Sequence, residues 1–453
     1  MRRRDVLAIP AISAFGSRLY PASTPRPNII LILADDLGYG DLGCYGQKEI
    51  QTPNLDRMAS EGLRFTQAYA GSTVCAPSRC CLMTGKHTGH ATIRGNAKPE
   101  VGLEKDEVTV GSLLQSAGYR TALLGKWGLG GPGTGSVPNT RGFDEFFGYL
   151  DQQHAHNSYP EHLWENQNEI FLTGNWFFRR RQFSNDLFTE RALKFVAGAK
   201  EPFFLYLAYT IPHADNELGA WTGNGIEAPD DRPYHDRPWP QVERNFAALV
   251  TRMDRDIGRL FSVLKQAGRD ESTLVVFTSD NGPHQEGGHR ADFFSSRGPL
   301  HGIKRDLYEG GIRVPYLVRW PGHVPGGVTS DQVLTFWDFL PTIAQLVAAE
   351  MPRDIDGISM LPAHLGRPQT HQHKYLYWEF HERGFAQALR IGDFKCLRSN
   401  LGEPIEVYDL AADPGETTNI APKAPDVVRR AEDLFRTART DSKLFPIRPA
   451  PKV

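Results

Sequence analysis

After Asn28 the chain runs Ile29-Ile30-Leu31-Ile32-Leu33-Ala34, six apolar side chains with no polar alternation. A strand with one wet face alternates, so a continuous run needs cover on both faces, as in the central parallel strand of an α/β sheet. The run closes on two acids, Asp35-Asp36. Helix signals follow over 54–62, with Asn54 as cap, and a strand pattern over 64–70. The same grammar repeats as helix 107–118 with strand 120–124, helix 185–196 with strand 203–209, and helix 242–267 with strand 273–279. A short strand over 316–319 and a helix over 336–348 complete it. Strands alternating with helices imply a doubly wound α/β core with a large, mostly parallel sheet.

The texture changes near 375. Short strand patterns over 375–380, 385–391, 394–397 and 406–410, then a helix over 426–435, read as a small antiparallel sheet subdomain with one helix. With 453 residues there is room for a catalytic domain over 27–370 and this subdomain over 371–453. Residues 1–24 carry Arg2-Arg3-Arg4, a short apolar run and small residues near Pro21-Ala22-Ser23. That is the pattern of a Tat-type export signal and a periplasmic destination; a basic tail on a cytoplasmic protein is the alternative. A formal charge of −2 and 40% apolar residues give no sign of a nucleic-acid binder or a disordered chain. No apolar stretch reaches the length of about 18 residues that a membrane span needs.

Cys75-Ala76-Pro77-Ser78-Arg79 reads as a helix entrance, with Pro77 in the first turn and Gly85 past the end. A thiol there sits among unpaired N–H groups that favour an anion, and Arg79 lies one turn along. A buried cysteine beside a proline turn is the plainer alternative. Cys44, Cys80, Cys81 and Cys396 read most simply as buried thiols, with one disulfide among them left open.

Ligands bind outside the carboxyl ends of strands in open α/β sheets. Four proposed strands end there in polar groups: Asp35-Asp36, Lys126, His213 and Asp280-Asn281. The two acid-amide pairs offer only oxygen, which suits Ca²⁺ or Mg²⁺ rather than zinc. Packed without a cation, three acids would repel one another; taken singly, each pair is also turn chemistry. Arg79, Lys126 and Lys304 would attract an anionic group, and His213 would serve a leaving oxygen. The loops 128–139, 215–237 and 282–305 are long and rich in Gly, Pro and His, as functional loops often are.

Cys75-Ala76-Pro77-Ser78-Arg79 resembles the signature of the type I sulfatases, in which that cysteine is oxidised to formylglycine. So do Leu33-Ala34-Asp35-Asp36-Leu37-Gly38, Gly125-Lys126-Trp127, Ser279-Asp280-Asn281-Gly282 and Tyr308-Glu309-Gly310-Gly311, in the family's order. The C-terminal Tyr408-Asp409-Leu410 with Asp413-Pro414 looks like the family's second domain. The resemblance implies an alkaline-phosphatase-like fold and hydrolysis of sulfate esters, in the manner of bacterial carbohydrate sulfatases. It implies that one hydroxyl of hydrated formylglycine attacks sulfur, releasing the alcohol, and that the other lets the covalent sulfate leave by elimination. It also implies Ca²⁺ on Asp35, Asp36, Asp280, Asn281 and the modified Cys75, sulfate on Lys126 and Lys304, and a maturation enzyme as partner.

Many family members have His two residues after the motif lysine, where this chain has Gly128. His87, His90, His154 and His156 are candidates for its task. For a sulfated sugar, His154, His156, Glu379 and His381 lie in segments that look like the subsite lining; packed loops with solvated histidines are the alternative. A phosphoesterase or phosphonate hydrolase of the same superfamily, and a non-catalytic glycan-binding protein, are the competing functions.

Overall fold

The computed structural model describes residues 26–96, 101–200 and 202–448. The expected export signal over 1–24 lies outside the described residues. In chain order the strands are β1 (Asn28–Asp35), β2 (Leu63–Phe65), β3 (Ala68–Tyr69), β4 (Arg120–Lys126), β5 (Glu145–Tyr149), β6 (His162–Glu165), β7 (Asn168–Phe171) and β8 (Phe203–Pro212). They continue as β9 (Thr273–Ser279), β10 (Tyr316–Arg319), β11 (Val328–Ser330), β12 (Leu334–Thr335), β13 (Leu376–Phe380), β14 (Ala386–Ile391), β15 (Phe394–Arg398) and β16 (Glu406–Asp409).

The apolar run becomes the centre of a ten-stranded sheet ordered β11-β2-β10-β9-β1-β8-β4-β5-β6-β7. β1 pairs in parallel with both neighbours, Ile30 lying opposite Leu205 of β8 and Val275 of β9. Its side chains divide between two cores: Ile29, Leu31 and Leu33 enter one, Ile30, Ile32 and Ala34 the other. Each fully buried Leu or Ile contributes about 1.5–3 kcal/mol, which accounts for the missing alternation.

The helices are α1 (Pro53–Glu61), α2 (Cys75–Thr84), α3 (Val110–Ser116), α4 (Ser184–Gly198), α5 (Asn216–Thr222), α6 (Gln241–Gln266), α7 (Glu309–Ile312), α8 (Phe339–Leu346), α9 (Leu361–His364) and α10 (Pro425–Thr437). β13 to β16 form a separate antiparallel sheet. One face, with Trp378 and Phe380, joins a core of the large sheet; the other, with Tyr377 and Leu389, packs with Ala431 and Phe435 of α10. The fold is the expected alkaline-phosphatase-like one, a large mixed sheet flanked by helices plus a small C-terminal sheet. Among the described residues no helix is long and apolar enough to cross a membrane.

Some local expectations change. Thr52, not Asn54, holds the N-cap position of α1, and Asn54 instead bonds the carboxylate of Asp254 on α6. The strand expected over 64–70 is two short strands in different sheets. α3 starts at Val110, where Thr109 and Ser112 cap each other reciprocally. All five cysteines are free, so none of them forms a disulfide.

Candidate active site

The parallel strands deliver their last residues to one edge of the sheet. β1 ends at Asp35, followed by Asp36 at φ 66, and β9 is followed by Asp280 and Asn281. β4 ends at Lys126, and His213 follows Pro212 of β8. α2 begins at Cys75, where Asn96 Oδ1 accepts from the Ala76 N–H at 3.0 Å. Pro77 lies in the first turn, where its missing N–H costs nothing.

Around Cys75 the groups interlock. Its Sγ stands 3.2 Å from Asp35 Oδ1 and 4.0 Å from Asp36 Oδ1. Lys126 Nζ donates to Asp35 Oδ2 at 2.8 Å, and Lys304 Nζ to Asp36 Oδ2 at 2.8 Å. Arg79 donates through Nε and Nη2 to Asp280 Oδ2, and through Nη1 to the Lys126 carbonyl. All of these side chains are buried; Lys304, whose residue type favours solvent, is 4% exposed.

The charges set the chemistry. Burial, with Asp280 and Asp35 beside it, pushes the Cys75 thiol well above its usual range. Burial and these acids thus work against a thiolate at position 75, despite its place at a helix entrance. Burial opposes ionisation of Asp35, but Lys126 and Arg79 overcome it and hold the carboxyl well below its usual range. Burial and Asp35 raise Asp280 to about 7. His213 Nδ1 faces its neighbour's Ala214 carbonyl at 2.6 Å, and burial with Lys304 keeps the ring neutral, well below its usual range.

Asp35, Asp36, Cys75 and His213 present ligand atoms within 4.8 Å of one another, a cluster fit for a divalent cation. The acids do not need a metal merely to coexist, since Arg79, Lys126 and Lys304 already pair them. The stronger sign is Asn281. Its Nδ2 donates to Asp36 Oδ1 at 2.7 Å, while its buried Oδ1 has no donor among the described residues. An amide orientation follows from its hydrogen bonds, and an unmet amide oxygen beside carboxylates suits a hard cation.

Of the four histidines considered for the missing partner, only His156 reaches the centre, its ring stacked on His213 at 4.9 Å. His87 and His90 lie beyond the far end of α2, beside Asp356. His154 stacks on His162 and meets the Tyr149 ring edge-on. Gly128 itself has φ 75, and a Cβ there would lie 2.0 Å from Gln152 Nε2, so Gln152 fills the space a side chain would take.

Glu379 does not line a sugar subsite. It is fully buried, bonded to Arg94, Arg439, Tyr377 and His381, with no oxygen left over. His381 is tied to it and packs on Phe385 and Phe445. Its neighbour Glu382 faces the site instead, through Arg305.

Glu286 is a site residue missed in the sequence. Its Oε2 accepts from Lys304 Nζ at 2.9 Å, its Oε1 from Arg305, and it stands 4.0 Å from His213 Nε2. Burial opposes its charge, but Lys304 holds the carboxyl down at about 2. The available signal was a carboxylate five residues past Asn281, inside a loop already marked as long.

The Sulfatase family pattern matches residues 27–349, and the pattern described as "N-sulphoglucosamine sulphohydrolase, C-terminal" matches 301–437. Human arylsulfatase A is 32% identical over 90% of this chain and 87% of its own length. The N-acetylgalactosamine-6-sulfatase of Canis lupus familiaris is 32% identical over 96% of this chain and 84% of its own. Among solved structures, Ps i-CgsB in complex with k-i-k-neocarrahexaose superposes with a TM-score of 0.79 at 30% identity, covering 92% of this chain and 94% of that one. With that sequence match running from β1 through α8 and carrying the buried centre just described, this chain belongs to the sulfatase family.

Proposed function

We propose that this sulfatase hydrolyses the sulfate ester of a carbohydrate, with Cys75 matured to formylglycine and Ca²⁺ held by Asp35, Asp36, Asp280 and Asn281. The observation that carries the reading is geometric: Cys75 Sγ lies buried 3.2 Å from Asp35 Oδ1, in a centre held by three buried cations, Arg79, Lys126 and Lys304, where burial and Asp280 oppose ionisation of the thiol. A cysteine nucleophile would need an ionised sulfur; a cysteine that is a precursor does not. Mature formylglycine would supply an oxygen nucleophile for sulfur, and Ca²⁺ would supply a Lewis acid for the sulfate oxygens.

The chain's own groups divide the remaining work. Arg79, pinned by Asp280 and the Lys126 carbonyl, is a fixed positive wall beside position 75. Lys126 and Lys304 turn from Asp35 and Asp36 to sulfate oxygens, where charge builds as the ester bond breaks. The proton for the leaving alcohol is held between Lys304 Nζ and His213 Nε2, 3.1 Å apart. Water balances the overall reaction, giving the free alcohol and inorganic sulfate.

Support for a carbohydrate comes from the relatives' printed substrates and from the residues around the centre, where His156 and Glu382 offer a ring and an acceptor suited to sugar faces and hydroxyls. Cys75 and Arg79 are at most 1% exposed. A maturation enzyme would therefore have to meet this segment before folding is complete.

The test is a screen of matured protein against defined mono- and disaccharide sulfates, reading inorganic sulfate. Release from a sugar sulfate supports the proposal. Turnover of aryl phosphate in preference to aryl sulfate, or binding of sulfated sugars without release, contradicts it.

A further inference from the structure

The edge that carries the active site continues past it. β8, β4, β5, β6 and β7 are successive neighbours in the sheet. β6 runs antiparallel to β5 and β7 to β6, with His162 opposite Phe171, so the end of β7 emerges on the same edge as Lys126 and His213. Four strand spacings separate β8 from β7, about 19 Å. That is the span of a short oligosaccharide, well beyond one sugar ring.

Rings mark this route. His213 stacks on His156 at 4.9 Å, and both His154 and His156 belong to the short turn after β5. His154 stacks on His162 at 4.4 Å, His162 meets Phe171 at 6.4 Å, and Phe171 meets Trp176 at 6.3 Å. The route ends in Trp176-Phe177-Phe178-Arg179-Arg180-Arg181. Phe177 is 79% exposed and Phe178 89%, both at positive φ. The loop's neck is fixed: buried Asn175 donates to the carbonyls of Pro160 and Gln182 and accepts from the N–H groups of Arg181 and Gln182. Arg180 pairs with Glu227 at 2.9 Å, while Arg179 and Arg181 have no acidic partner among the described residues.

We propose that this strip is a distal binding track for a multiply sulfated oligosaccharide. It rests on the reading that the leaving alcohol is a carbohydrate, and adds that the substrate extends several sugars beyond the reacting one. The apolar faces of sugar rings pack on aromatic faces, and Arg179 and Arg181 take a second sulfate by paired N–H donors. A second copy of the chain fits this patch poorly, because a two-fold contact would bring arginines against arginines. A lipid surface would not need the ring contacts that join the loop to His213.

The test uses the full matured enzyme and fragments of heparin, chondroitin sulfate and carrageenan, each with two and six sugars, as inhibitors of p-nitrophenyl sulfate turnover. At least one series should inhibit at least tenfold more tightly as the hexasaccharide, and that length dependence should vanish in an F177S/F178S/R179S/R181S variant. Titration of tryptophan fluorescence, which senses Trp176, follows the same binding without turnover. An enzyme that fails on the aryl ester but binds the long fragments through the loop would refute the catalytic reading and keep the track. The proposal is overturned if no series shows length dependence in the parent, if the dependence survives in the variant, or if the variant instead loses self-association or vesicle binding.

Discussion

The Lys304 ammonium stands 3.1 Å from Nε2 of His213, whose other ring nitrogen is committed to the Ala214 carbonyl. Lys304 and the neutral imidazole thus form a pair facing the leaving side of the site, with the lysine also tied to Asp36 and Glu286.

This pair matters in proportion to how badly the leaving alcohol needs a proton. His213→Ala should lower kcat for an alkyl or sugar sulfate by about a hundredfold to ten-thousandfold, the usual range for a lost acid–base group. With p-nitrophenyl sulfate, whose leaving group is stable as an anion, the loss should be much smaller. Equal losses on both esters would remove His213 from the leaving-oxygen role.

Asn281 tests the cation site without relying on turnover. If its orphaned Oδ1 is a ligand, added Ca²⁺ should raise the Tm of the parent, since a ligand that binds the folded state stabilises it. The rise should shrink or shift to higher Ca²⁺ in Asn281→Ala. An unchanged Ca²⁺ response in that variant would mean the amide is not a ligand.

Gly128 is held at φ 75 with Gln152 against it. Gly128→Ala should destabilise the fold by about 1–3 kcal/mol, from left-handed strain and the clash together. A second change, Gln152→Ala, should recover the clash but not the strain. Urea denaturation of the two variants measures both parts, and a neutral Gly128→Ala would show that the loop relaxes freely.

Glu379 links acid stability to the C-terminal sheet. Burial disfavours its charge, but His381, Arg94 and Arg439 hold the carboxyl down at about 2. An unfolded glutamate titrates near 4.3, so the folded state binds fewer protons in between. The stabilisation is complete above that unfolded value and is lost as pH falls towards 2, on the order of 3 kcal/mol in total. Glu379→Gln should flatten the fall in stability between pH 5 and about pH 2, and should itself be less stable at pH 7 because buried Arg94 loses its carboxylate partner. An unchanged pH slope would contradict this.

The core strands were legible because burial on both faces leaves a continuous apolar run, seen in β1, β8 and β9. The β6–β7 hairpin was missed because its strands are four residues long and only Leu163 in them is fully buried, so neither apolar run nor clean alternation marks them. That β10 runs antiparallel to β9 has no local signature at all. At the site, strand-end polar residues lead to Asp35, Asp36, Lys126, His213, Asp280 and Asn281, which the structure brings together at one edge of the sheet. Lys304 and Glu286 were harder, since only a folded loop shows that they are buried together. Glu379 was misplaced because Arg94, its partner, is 285 residues away in the chain.

The central claim is that Cys75 is a precursor rather than a nucleophile. Trypsin releases it in the peptide running from Phe65 to Arg79. Mass spectrometry of that peptide, from preparations of graded specific activity, should show the thiol replaced by an aldehyde or its hydrate in proportion to sulfate-releasing activity. Full activity in a preparation whose peptide carries an intact thiol would contradict the account.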